Sequence, residues 1–280
     1  MTAMPTIDDP HRPRVPLTAA DRDVIDRART LMHATCDDLG AELLARAGRD
    51  DSTSKSDGTP VTDADLHADL VLANAIRTAF PDHEIVSEEA VTTWNGSEWT
   101  WVIDPIDGTS NFTSGVPYWC IAIALLRDGV PVYGCLDAPP LAARFEAEQD
   151  RGATRNGEPM QVRPPVDFRS GEHRHVPVIV TAGTIRRGTG QIRLNPRVLG
   201  STALDLAMVA SGVAVAAYQR VPRVWDMAAG SLMVWEAGGV YVSLEDPLVP
   251  MTPGRSMTGV SCPAMAGADE AWLRDLHAEL

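Results

Sequence analysis

The sequence predicts an α/β protein of layered sheets and helices, and three observations carry that prediction. Two stretches near the start repeat apolar residues with a helical period behind helix-capping residues. The middle of the chain holds short apolar strands joined by tight turns. Beyond a Pro-Pro pair, Pro164-Pro165, strand-like and helix-like segments alternate.

Each element has a local cause. Thr18 reads as the N-cap of a long helix to about Ala47, with Leu31, Leu39, Leu43 and Leu44 among its apolar positions. The turn-rich connector SKSDGTPVTDAD follows. Thr62 or Asp63 caps a second helix, with Leu66, Leu70, Ala73 and Ile76 on one face, and Phe80-Pro81 closes it. Short strands are expected at Glu84–Val86 and Trp99–Ile103. Cys120–Leu126, Val130–Leu136 and Arg144–Ala147 read as a meander, joined by Arg127-Asp128-Gly129 and a Pro-rich turn. After the Pro-Pro boundary come a β run at Val176–Thr181 and an Arg/Gly-rich loop to Arg197. A helix at about Thr202–Ala210, a β-like Val213–Tyr218, a helix at Asp226–Ala237 and a strand at Val240–Ser243 follow. The last element is a helix at Asp269–Leu280. The expected division is a disordered, proline-rich tail over 1–16, an N-terminal α+β half over 17–165 and a C-terminal α/β half over 166–280.

Composition narrows the function. A chain of 280 residues buries a sizeable core. A net charge of -14 argues against nucleic acid or an anionic membrane as partner, and bound divalent cations would offset part of it. No apolar run approaches the roughly 18–20 residues of a membrane span. Four cysteines without a CxxC fit free thiols in a reducing cytoplasm.

The informative stretch is WVIDPIDGTSNF, Trp101 to Phe112, where an apolar strand ends in Asp104 and Asp107. Pro105 favours a turn there, which lets both carboxylates point to one side. Two close carboxylates repel, so a cation sits between them or one stays protonated. Hard divalent cations take oxygen ligands, and Mg²⁺ suits a few carboxylates with water and phosphate. Glu88-Glu89, Asp63, Asp65 and Asp226 also lie at junctions between elements. Taken singly, Asp226 reads as a helix cap, Glu88-Glu89 as a solvated pair and Lys55 as a surface lysine. The pair Asp104 and Asp107 is more than a turn needs. No His or Cys cluster has zinc spacing, and no Ser/His/Asp or Cys/His arrangement stands out.

Asp104-Pro105-Ile106-Asp107-Gly108-Thr109, with Asn111-Phe112, resembles the signature of the inositol monophosphatase family of Mg²⁺-dependent phosphatases. Trp225-Asp226-Met227-Ala228-Ala229-Gly230 and Glu236-Ala237-Gly238-Gly239 resemble its second signature. Ser87-Glu88-Glu89, Lys55 with Val61-Thr62-Asp63-Ala64-Asp65, and Gly200-Ser201-Thr202-Ala203-Leu204-Asp205 resemble three further segments in the right order. The resemblance implies an alternating α-β-α-β-α sandwich, as in inositol monophosphatase and fructose-1,6-bisphosphatase, paired as a homodimer.

It also implies roles. Glu88, Asp104 and the carbonyl of Ile106 would hold one Mg²⁺; Asp104, Asp107 and Asp226 a second; Glu88 would touch a weaker third through waters. Thr109, bonded to Asp65, would orient the attacking water. Gly108 and Thr109 would offer amides to phosphate, and Gly200, Ser201, Thr202 and Gln219 would line the substrate. The implied activity is hydrolysis of a small phosphorylated metabolite of the inositol-1-phosphate kind. Histidinol phosphate, a sugar bisphosphate or a nucleotide 3′-phosphate are alternatives, as is a regulatory binding protein on the same fold. Four departures stand out. Ser87 replaces the usual Gly, the loop between Glu89 and Trp99 is short, the segment Val180 to Arg197 is short, and Gln219 stands where inositol-specific members commonly carry an acid. Arg186, Arg187, Arg193 and Arg197 lie in the nearby loop.

Overall fold

Thr18 starts the first helix with a reciprocal cap: its hydroxyl accepts the Asp21 amide, and the Asp21 carboxylate accepts the Thr18 amide at 2.7 Å. The structure is a computed structural model that describes residues 12–50, 52–54, 60–90, 92–187 and 193–280. Helix α1 (Ala19–Arg46) buries Ile25, Ala28, Met32, Cys36, Leu39 and Leu43, while Leu44 lies on the outside. A two-stranded hairpin, β1 (Ser52–Ser54) and β2 (Pro60–Thr62), leads into α2 (Asp63–Ala79). Thr62 is the N-cap of α2, with Asp65 closing the box, and Phe80 ends the helix.

The inward face of α2 differs from the expected one. Leu66 and Leu70 are 51% and 56% exposed, whereas Ala64, Ala68, Leu72, Ala73 and Ile76 are buried together with Asp65 and Asp69. The reason is steric and chemical. Small residues let α2 approach α1 and the sheet, and the same face must deliver two carboxylates inward.

The first sheet is a sequential seven-stranded array: β3 (Glu84–Ser87), β4 (Trp99–Asp107), β5 (Cys120–Arg127), β6 (Val130–Ala138), β7 (Ala143–Glu148), β8 (Gly152–Arg155) and β9 (Glu158–Pro159). Only β3 and β4 pair in parallel; the rest form the expected meander. Helix α3 (Thr109–Ser114) links β4 to β5. The second sheet uses β10 (Pro177–Val180), β11 (Asn195–Arg197), β12 (Ala216–Gln219), β13 (Val240–Ser243) and β14 (Ala264–Gly267), in the order β11-β10-β12-β14-β13. The stretch expected as a loop up to Arg197 contains α4 (Ala182–Arg187) and β11.

Helices α5 (Thr202–Ala210) and α6 (Val224–Glu236) lie between the sheets. Gly230 makes this layer possible, because a Cβ there would meet the Leu206 side chain at 2.7 Å. Helices α1 and α2 cover the outer face of the first sheet, and α7 (Glu270–His277), capped by Asp269, covers the second. The order of layers is therefore α-β-α-β-α, with an apolar core in each of the gaps. Among the described residues no helix is long and apolar enough to cross a membrane.

Residues 12–16 correct the expected tail. Arg12 pairs with Glu236, and the Val15 amide donates to Gln149 at 3.2 Å while the Gln149 side chain donates back to the Val15 carbonyl at 2.8 Å. Backbone groups beside a packed Val15 must be paired, and Gln149 does this. Residues 1–11 of the tail, and Lys55, lie outside the described residues.

Candidate active site

Parallel pairing sets β3 and β4 side by side, so both release their C-terminal ends at one place. Ser87 lies opposite Ile103, and the Glu88 amide donates to the Ile103 carbonyl at 3.2 Å. Glu88 thus follows β3 beside Asp104. Strand β4 then runs on to Asp107 rather than turning after Pro105, but with a register shift: Asp104 faces Ala122 and Asp107 faces Cys120. Residues three apart on a regular strand point to opposite faces. One extra residue, placed at a proline that cannot donate to the ladder, re-aims Asp107. Helix α6 brings Asp226 from the other side, where its carboxylate also accepts the Arg223 amide at 2.8 Å. Asp226 therefore caps α6 and at the same time stands beside the other carboxylates.

Carboxylate oxygens of Glu88, Asp104 and Asp226 lie within 4.8 Å of one another. Oxygens about 2.1 Å from an octahedral Mg²⁺ lie about 3–4 Å apart, so this all-oxygen set fits the ion with slight closure. Electrostatics point the same way. Burial raises the Asp104 pKa well above the usual range, and Glu88, Asp107 and Asp226 push it further. Burial, then Asp107 and Glu88, raises Asp226. A cation reverses this penalty.

Asp107 stands beside the trio and is held by α5. It accepts the Ala203 amide at 2.7 Å, the Thr202 amide at 3.2 Å and the Ser201 hydroxyl. These bonds oppose burial, and its pKa settles at about 6. Thr109 opens α3, with its hydroxyl 3.2 Å from Asp65 Oδ1 and 3.1 Å from the Ile106 carbonyl. Asp65 is buried and receives the Thr62 amide at 2.8 Å and the Thr62 hydroxyl at 2.5 Å, which fixes its carboxylate. Gly108 has φ 98°, and a Cβ there would meet the carbonyls of Gly200 and Tyr118 at 3.2 Å.

This arrangement of strand ends, bulge and helix starts is what the sequence signature encodes. A profile of the inositol monophosphatase family matches residues 18–277. The chain belongs to the inositol monophosphatase family. It is accordingly a phosphoric monoester hydrolase of a group that in general depends on Mg²⁺. A fructose-1,6-bisphosphatase/inositol-1-monophosphatase of Thermotoga maritima is 35% identical over 210 residues, 72% of this chain and 79% of that protein. A histidinol-phosphatase of Chlorobaculum parvum is 35% identical over 194 residues, covering 66% and 73%. The solved structure of a Thermotoga maritima IMPase superposes with a TM-score of 0.73 at 28% identity, covering 91% of this chain and 97% of that one.

Several expected site residues of this inositol monophosphatase family member sit differently. Ser201 and Thr202 spend their hydroxyl and amide on Asp107, because the start of α5 offers donors to the nearest buried anion. Gln219 faces neither water nor an open cleft. It is 3% exposed, its Nε2 donates to the Thr202 carbonyl at 2.7 Å, and its Oε1 is buried without a hydrogen-bond partner among the described residues. Asp63 points outward in the first turn of α2. Arg197 folds back on Asn195 and the Pro196 carbonyl, and Arg193 is exposed. The side chains of Arg186 and Arg187 lie outside the described residues.

Sequence reasoning placed Asn111 in the signature without a role, and missed Asp69. Asn111 Nδ2 donates to the carbonyls of Tyr118 at 2.7 Å and Leu199 at 2.8 Å, tying the Asp107 loop to the approach to α5. Asp69 receives the Ser87 hydroxyl. Its only sequence signal is its place four residues after Asp65, on the same helix face.

Proposed function

We propose that this protein hydrolyses a small phosphorylated metabolite of the inositol-1-phosphate kind, by attack of a water molecule on the phosphorus. The observation that carries the reading is the convergence of Glu88, Asp104 and Asp226 within 4.8 Å, next to Asp107 and to the Thr109–Asp65 pair. Glu88, Asp104, the Ile106 carbonyl, Asp107 and Asp226 would hold two or three Mg²⁺. When bound there, Mg²⁺ neutralises phosphate charge, makes a bound water more acidic and stabilises the leaving alkoxide.

The protein's own groups supply position. Asp65, fixed by two bonds from Thr62, keeps the Thr109 hydroxyl aimed, and that hydroxyl orients the attacking water. Thr109 Oγ1 accepts a proton from that water as it passes one on to Asp65. The amides of Gly108 and Thr109 at the start of α3 bind phosphate oxygens. Gly200 keeps this corner open, since a Cβ there would meet Asn111 at 2.9 Å. Ser201 and Thr202 contribute through Asp107.

With a neutral Gln219 turned onto the Thr202 carbonyl, position 219 presents no anion to an ammonium group, so histidinol phosphate ranks below inositol 1-phosphate and sugar phosphates. The family resemblance also supports a homodimer in the cytoplasm; sedimentation tests the assembly. The deciding experiment is kcat/KM across inositol 1-phosphate, fructose 1,6-bisphosphate, histidinol phosphate and a nucleoside 3′-phosphate with Mg²⁺. A polyol or sugar ester is expected to lead. Histidinol phosphate in first place would overturn the ranking, and no turnover of any ester would overturn the phosphatase reading of this site.

A further inference from the structure

We propose that Asp69 and Ser87 act together as a positioning pair that presets Glu88 for a divalent cation, a role resting on the reading of Glu88 as a metal ligand. The buried Ser87 hydroxyl donates to Asp69 Oδ1 on α2, and Ser87 Oγ in turn accepts the Glu89 amide at 3.3 Å. One side chain therefore ties the helix to the strand end and closes the turn in which Glu88 sits. The Glu88 amide is fixed in turn by the Ile103 carbonyl at 3.2 Å.

The need for such a tether is electrostatic. Carboxylate oxygens of Glu88 and Asp104 lie within 4.8 Å of each other, and like charges that close repel. Without a cation, a glutamate on a free turn swings towards water, and each binding event must then bring it back. Holding the turn from both sides removes that reorganisation. Helix α2 thereby grips both loops of the site with acids one turn apart: Asp65 holds Thr109, and Asp69 holds Ser87. Glycine at position 87 has no side chain with which to make the second grip.

The test uses the full-length protein and Mg²⁺ titrated calorimetrically, without substrate. Ser87→Ala and Asp69→Ala should each weaken Mg²⁺ binding about tenfold. The double variant should be no weaker than either single one, because both remove the same bond. Asp69→Asn should bind Mg²⁺ nearly as the parent does, since its amide oxygen still accepts the Ser87 hydroxyl; a merely electrostatic role for Asp69 would not be rescued this way. kcat at saturating Mg²⁺ should stay within about twofold of the parent, as the ligands remain. Should Asp69→Ala fail to fold, Ser87→Ala and Asp69→Asn carry the test. Unchanged Mg²⁺ affinity in Ser87→Ala, with Glu88→Gln weakened, would overturn the pairing and leave the metal site standing. Unchanged affinity in Glu88→Gln as well would overturn the reading of the site itself.

Discussion

Replacing Asp107 by Asn should stabilise the metal-free protein while removing most of its activity. The Asp107 carboxyl is buried, and its pKa rises from 3.8 to about 6 even with three bonds from the start of α5. At about 1.36 kcal/mol per tenfold change, keeping it charged at pH 7.5 costs about 3 kcal/mol. Asparagine removes that cost but turns an NH₂ towards donors at Ser201 or Ala203, which takes back about 1–2 kcal/mol. A net gain of about 1–2 kcal/mol raises Tm by roughly 2–6 °C for a chain of this size. The pH dependence has a definite sign. The folded state holds its proton to higher pH than the unfolded state, so stability falls as pH rises from about 4 to about 6. That fall should shrink in Asp107→Asn. The assay is thermal unfolding in EDTA between pH 4.5 and 7.5, with kcat measured separately in Mg²⁺. A variant that melts below the parent at pH 7.5 in EDTA, with the same pH slope, would refute the argument.

Three further outcomes are expected. Phosphatase activity should disappear in EDTA and return with Mg²⁺; full turnover in metal-free buffer would contradict the proposed use of the acidic cluster. Asp226→Asn should cut kcat by at least about tenfold with the fold intact by circular dichroism, since it removes charge from the carboxylate trio; near-normal turnover at saturating Mg²⁺ would mean the ligands are misassigned. His83 stacks between Phe80 at 4.7 Å and Trp99 at 5.7 Å and accepts the Trp101 indole N–H, while burial and then Arg27 lower its pKa to about 4. Its contribution is full above pH 6.5 and is lost as pH falls towards 4, by about 1–2 kcal/mol after allowance for its partial exposure. His83→Gln should flatten that part of the stability profile, and an unchanged profile would exclude the stack as its source.

What the sequence determined by itself was mostly local. Thr18 with Asp21, and Thr62 with Asp65, mark helix starts because each cap closes within three residues. The meander was legible because its strands are apolar and its turns short. Asp104, Asp107, Glu88 and Asp226 could be read as a constellation because carboxylates at the ends of buried strands and the starts of helices are costly without a purpose. Tertiary structure decided the rest. Leu66 and Leu70 match the helical period as well as the buried residues do, and only packing against α1 and β4 turns the alanine and aspartate face inward. Strand β14 carries no alternation, because Ala264–Gly267 is buried throughout between β12 and β13. The bulge that re-aims Asp107 depends on its pairing with β5, and the bonds that hold it come from residues more than 90 positions further along the chain. Gln219 reads as a substrate residue from its place before Trp225, but the Thr202 carbonyl, remote in sequence, holds its side chain. Caps and strand ends depend on neighbours along the chain; the aim and the partners of a buried side chain depend on neighbours in space, which a single sequence does not specify.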